Sequence, residues 1–102
     1  MKEDSEQVTQ DMNVKILEKG LQDERIPKYY FNGFINGIGN ADILMVLQKN
    51  GEPNVVLNTS LSIAKTLAIK LTEMISSIEN ATGNTIMTTD DLNESFQKKQ
   101  KK

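Results

Sequence analysis

No cysteine, histidine or tryptophan occurs in this chain, and only 2 of its 102 residues are proline. Without cysteine there is no disulfide framework. Without histidine, acid–base chemistry near neutral pH has to rest on a carboxylate in a dry pocket. Zinc, copper and iron also lose their usual ligands, which leaves only hard cations held through oxygen, and no calcium-loop spacing is present. Gly37-Ile38-Gly39 is followed by a strand pattern, whereas a dinucleotide cradle requires three glycines running into a helix. No cofactor is implied. No apolar run approaches the roughly 18 residues of a membrane span. Met1 to Gln10 is acidic and polar, unlike a secretory signal, so a cytoplasmic location is expected. A formal charge of −2 and a pI near 5.1 give no overall attraction to nucleic acid or anionic lipid. Lys98, Lys99, Lys101 and Lys102 make a small basic tail that ordinary solvation explains.

What is present is the composition of a soluble protein, 37% hydrophobic and 25% charged. A chain of this size leaves about a third of its unfolded surface exposed after folding, so self-association is plausible from size alone. The first 11 residues are too polar to bury anything and read as a disordered acidic tail. In Met12 to Leu17, Val14 and Ile16 alternate with Asn13 and Lys15, the pattern of a half-buried strand, although Met12, Ile16 and Leu17 also fit a helical turn. Tyr29 to Ile38 carries most of the aromatic residues and reads as a long strand ending in a turn at Gly37 to Asn40. Asn50-Gly51 is a strong hairpin signal, because a type I′ turn needs positive φ at both central residues. It joins a strand at Asp42 to Lys49 with one at Glu52 to Asn58.

A regular hairpin sets Lys49 opposite Glu52, Val46 opposite Val55, Met45 opposite Val56 and Leu44 opposite Leu57. On that register Leu44, Val46, Val55 and Leu57 share one face, and Ile43, Met45, Leu47 and Val56 share the other. Both faces are apolar, whereas a free antiparallel sheet alternates apolar with polar, so something is expected to cover each. Ala64, Leu67, Ala68, Leu71, Met74, Ile75 and Ile78 recur at intervals of three and four and predict a helix over 60–82 whose stripe covers one face. Ser60, Thr59 or Asn58 is placed to cap its start, and Gly83 to end it in the left-handed conformation. Thr88-Thr89-Asp90-Asp91 reads as the start of a short C-terminal helix that packs Leu92 and Phe96.

The candidate chemistry is thin. Asp90 and Asp91 are explained by a helix start, and Asp42, on the face of Leu44, sits at a turn where aspartate is common. The aromatic strand and its asparagines, Tyr29, Tyr30, Asn32 and Asn36, are the candidate contacts for a ligand or partner. Stacking on nucleic acid is not expected, since only Lys28 accompanies those aromatics. The candidate self-association face is Ile43, Met45, Leu47 and Val56.

The order of these features resembles a small, largely uncharacterised prokaryotic family, a domain of unknown function with no assigned activity. The resemblance runs from about Met12 to Ile86. It rests on Tyr30-Phe31-Asn32, on the strand pair at Ala41 to Leu57, on the passage from Val55 through Asn58-Thr59-Ser60 to Ala64-Lys65, and on Ile78-Glu79 with Gly83-Asn84-Thr85-Ile86. The chain departs from the family in lacking the proline and histidine that often open its helix, and in its tail from Met87 to Lys102. Membership implies a strand-rich sheet with a long helix and brings no catalytic residues. In outline the layout is also similar to the export chaperone SecB, at the level of fold alone.

The expected organisation is a disordered tail at 1–11, a single α+β domain at 12–97 and a basic tail at 98–102. In that domain an antiparallel sheet of three or four strands packs on one long helix, with a short C-terminal helix. The expected function is that of a non-enzymatic homo-oligomeric interaction or adaptor protein, binding itself and another protein or peptide, with no nucleic-acid or membrane partner. The alternative is a small-molecule binder with its ligand at a subunit interface.

Overall fold

A computed structural model of the chain describes residues 2–100 as an α+β structure. The helix α1 (Lys2–Gln22) is followed by the strands β1 (Gly33–Ile38), β2 (Asp42–Lys49) and β3 (Glu52–Ser60), then by α2 (Leu61–Thr82) and α3 (Thr89–Gln100). The strands form one antiparallel meander in the order β1-β2-β3. Of the basic tail, Lys98 lies in α3, and Lys101 and Lys102 lie outside the described residues.

Two expectations at the start of the chain are corrected. Met12 to Leu17 is helix, and that helix begins at Lys2, within the stretch expected to be a disordered tail. Val8, Met12 and Ile16 follow one another four apart, as do Leu17 and Leu21, so a helical row runs through the segment that alternation alone reads as a strand. No glycine or proline interrupts it before Gly20, and the surrounding Glu, Gln and Lys are good helix formers. Gln7 Nε2 donates to Asp11 Oδ1 at 3.1 Å, one turn on. The helix ends in a turn at Asp23, whose backbone N–H reaches Lys19 O at 2.9 Å while its carboxylate is gripped by Arg25 at 3.1 and 3.0 Å. Lys28 Nζ donates to the carbonyls of Asp23 and Ile26, which ties the connector to that turn.

The expected hairpin forms as a positive-φ turn, with Asn50 at φ 54° and Gly51 at φ 84°. Its register departs from a regular hairpin. Lys49 faces Glu52 as expected, but a bulge follows: Gln48 pairs with Pro53 and Leu47 with Val55, so Asn54 is an extra residue. Proline lacks the N–H a ladder needs, and β3, as an edge strand, accommodates the kink. Beyond the bulge Met45 pairs with Leu57, Val46 with Val56 and Leu44 with Asn58, each one place from the regular register.

The caps of α2 lie at the positions expected for them. Ser60 is the N-cap, its side-chain oxygen accepting from Ile63 N at 3.2 Å, and Gly83 closes the helix at φ 72° with its N–H on Glu79 O. Glu79 also accepts from Ile86 N at 2.8 Å, so the segment after the helix is held back against its last turn. α3 opens with a reciprocal capping box: Asp91 N donates to Thr88 Oγ1 and Thr88 N to Asp91 Oδ2, both at 3.1 Å.

The expected packing of α2 over the sheet is not made within the chain. α2 shares a few close approaches with β2 and β3, none with β1, and has no buried residue. Among the described residues α1 and α3 approach no other element, and Leu92 and Phe96 stand exposed. Leu47, at 6% exposure, is the core of the sheet and the one buried hydrophobic residue among those described.

Candidate functional site

Pairing determines which side chains share a face, because directly opposed residues of an antiparallel pair point the same way. One face carries Phe34, Asn36 and Ile38 from β1, Ile43, Met45 and Leu47 from β2, and Val55, Leu57 and Thr59 from β3. Its polar residues are Asn36 and Thr59 among the apolar ones and the pair Lys49 and Glu52 at the hairpin end. The other face carries Ile35, Leu44, Val46 and Val56 among Gly33, Gly37, Asp42, Gln48, Asn58 and Ser60. This second face is the mixed one. The expected self-association face is therefore divided: Ile43, Met45 and Leu47 stay together, and Val56 lies on the opposite side. The bulge at Asn54 causes the exchange, because one inserted residue reverses the parity of everything after it. Val55 and Leu57 take the place of Val56. Phe34 and Ile38, absent from the expected face, are recognisable from the parity they share with Tyr30 along the pleat.

The apolar face is open. Ile38 is 84% exposed, Phe34 62% and Leu57 44%, against intermediate burial for Ile43, Met45 and Val55. The stripe of α2 is equally open, with Leu67, Leu71, Met74, Ile75 and Ile78 all exposed. A compact protein of 11.4 kDa exposes about 5,800 Å², and this chain exposes 9495 Å². Its radius of gyration is 17.9 Å, where about 13 Å is usual for a domain of this length.

The candidate ligand contacts do not converge. Tyr29 and Tyr30 precede β1, which begins at Gly33 rather than at Tyr29, and both are well exposed. Asn32 is occupied structurally: its Oδ1 accepts from Asn50 N and its Nδ2 donates to Asn50 Oδ1, both at 2.9 Å, which pins the start of β1 to the hairpin turn. Asn36 lies apart from these three, on the apolar face opposite Met45. Two shallow surface depressions occur elsewhere, one along α1 between Lys15 and Asp23 and one beside the hairpin turn between Lys49 and Asn54.

Asp42, Asp91, Asp90 and Asp23 have structural roles. Asp42 is half-buried beside Gly39 and accepts from Asn58 Nδ2, while Asn58 also donates to Ile43 O at 3.3 Å. That cluster clamps the β1–β2 turn to the end of β3. Asp91 belongs to the capping box and Asp90 to the first turn of α3. The Arg25 guanidinium and backbone N–H bonded to Asp23 hold its carboxyl below its ordinary value. Among the described residues no three His, Cys, Asp or Glu side chains gather as metal ligands, and no helix is long and apolar enough to cross a membrane.

What the geometry offers is therefore surface: a three-stranded apolar face, an apolar helix stripe, and two free strand edges, β1 and β3. No protein-family model, curated protein or solved structure matches this chain.

Proposed function

We propose that this chain is a non-enzymatic, self-associating cytoplasmic protein that works by binding polypeptide, in the manner of an adaptor. The observation that carries the proposal is area. The surface in excess of a compact monomer is about 3,700 Å² per chain, several times what a standard interface takes from one partner and more than the roughly 1,000 to 2,500 Å² per partner of many obligate ones. That surface includes Phe34, Ile38, Leu57 and the α2 stripe, all apolar, where a solitary protein keeps such patches small. A further partner would add to a free edge of the sheet or lie along an apolar groove left by assembly.

Sedimentation velocity over a concentration series, with native mass spectrometry of protein purified gently from a lysate, tests the proposal. An oligomer of the bare chain is expected. A well-folded monomer at micromolar concentration ends the self-association reading. An oligomer that retains a small extra mass favours instead a ligand held between subunits, with Asn36 and Thr59 the uncharged polar groups available to it on the apolar face.

A further inference from the structure

The helix α2 and the sheet face on which Phe34, Ile38 and Leu57 stand exposed around buried Leu47 are each left open, and the junction between them explains why one chain does not join them. Ser60 is at once the last residue of β3 and the N-cap of α2. No residue intervenes. A helix that turns back over the sheet it follows generally uses a connection of about 2 to 6 residues, and here the chain passes straight from extended to helical geometry, at φ −70° and ψ 160° on Ser60. α2 is thereby carried off its own sheet.

We infer that α2 of one chain packs its apolar stripe on the Phe34–Leu57 sheet face of a second copy, and that the second copy returns its own α2, in a reciprocal exchange. The inference rests on the self-association proposed above and names what covers the face. The dimensions agree. A helix of 22 residues is about 33 Å long, and a strand of 8 residues about 27 Å. Three strands span about 14 Å across, a little more than the roughly 10 to 12 Å of a single helix with its side chains. The chemistry agrees as well. Ala64, Leu67, Ala68, Leu71, Met74, Ile75 and Ile78 form a stripe without a charge, and on the sheet face the charges are confined to the opposed pair Lys49 and Glu52 at the hairpin end. Lys65, Lys70 and Glu73 lie off the stripe, and an ion pair of 3.7 Å joins Lys70 to Glu73. Each chain supplies one α2 and one sheet face, so two copies close the exchange and leave neither an α2 nor a face over.

The α1 helix is a weaker occupant. It hangs on a connector of residues 23–32, and its apolar residues are divided between two sides of the helix, Val8, Met12 and Ile16 on one and Val14, Leu17 and Leu21 on the other, rather than gathered in one stripe.

Because the chain has no cysteine, engineered pairs report contacts without background. Leu71→Cys in one tagged chain is mixed with Phe34→Cys, Met45→Cys or Leu57→Cys in a chain with a different tag, the mixture is unfolded and refolded together, and disulfides are formed by mild oxidation. An intermolecular disulfide between Leu71→Cys and at least one sheet position is expected, with none from Lys65→Cys on the polar side of α2. A Leu71→Cys homodimer with no link to the sheet means helix-on-helix pairing and overturns the exchange. A link within one chain of the doubly substituted protein, formed in preference to one between chains, also overturns it. If sedimentation finds an oligomer and no α2-to-sheet link forms, the exchange is wrong and self-association survives. A monomer sinks both. In a mixture of labelled and unlabelled unaltered chain, isotope-filtered contacts between α2 methyl groups and the Phe34 ring are expected without any substitution, and their absence from a folded oligomer overturns the exchange.

Discussion

Phe34→Ala separates what a single chain contributes from what assembly contributes. Phe34 sits on β1 opposite Leu47, with 62% of its surface exposed in the isolated chain. Truncating a fully buried phenylalanine to alanine costs about 3 to 5 kcal/mol. Since only about two-fifths of this ring is already covered, about 1 to 2 kcal/mol of that penalty falls on folding of the single chain. The remaining 2 to 3 kcal/mol or so appears only when the face is covered. A symmetric pair covers two such faces, so dimerisation loses about 4 to 6 kcal/mol, or roughly a thousand- to twenty-thousand-fold in Kd. Sedimentation velocity over a concentration series measures the Kd, with far-UV circular dichroism to establish that the sheet persists. Lys65→Ala, on the polar side of α2, serves as the control and is expected to leave Kd unchanged. A Phe34→Ala protein that keeps its secondary structure and the Kd of the unaltered chain refutes the reasoning, because it places the ring outside any interface.

Three further outcomes follow from local geometry. Gly83→Ala forces a Cβ into the left-handed conformation at φ 72° and is expected to lower stability by about 1 kcal/mol, read from chemical denaturation at fixed protein concentration; an unchanged midpoint would show that α2 ends elsewhere. Deleting Asn54 removes the bulge and lets Val55 follow Pro53 in a regular ladder, so Leu47 still faces Val55 and both sheet faces keep their residues; sedimentation and amide spectra are expected to stay close to the parent, and loss of the sheet would contradict the register. Asp23 is held below its ordinary pKa by Arg25, so the stabilisation from the pair is fully present above the usual carboxylate range and is lost as the pH falls through the lowered value. Arg25→Ala is expected to move the Asp23 carboxyl titration upward in an NMR pH series, back towards the ordinary range, and an unmoved titration would mean that the guanidinium is not its partner.

The features legible from residues alone are those decided within a few positions of the chain. Ser60 caps α2 because a hydroxyl there meets the N–H of Ile63, and Gly83 ends it because glycine alone enters the left-handed region without strain. Asn50 and Gly51 make the hairpin turn, and Thr88 with Asp91 makes the capping box, for equally local reasons. Meander order and the α+β class follow from short connections between neighbouring strands. The alternation in Met12 to Leu17 misleads because six residues are too few to tell a period of two from one of 3.6, and the deciding partners, Val8 and Leu21, lie outside that window. Val56 falls on the face opposite to the one expected because a bulge at an edge beside proline is a property of the paired strands and not of either one alone. The functional candidates divide as unevenly: Asn32 is taken up by the hairpin turn, whereas Ile43, Met45 and Leu47 remain together on the open face. Whether the α2 stripe covers its own sheet is also beyond periodicity, which reports that a face is apolar and not where it points. That is decided in three dimensions by the junction at Ser60, where a strand becomes a helix with no residue between them to turn the chain back.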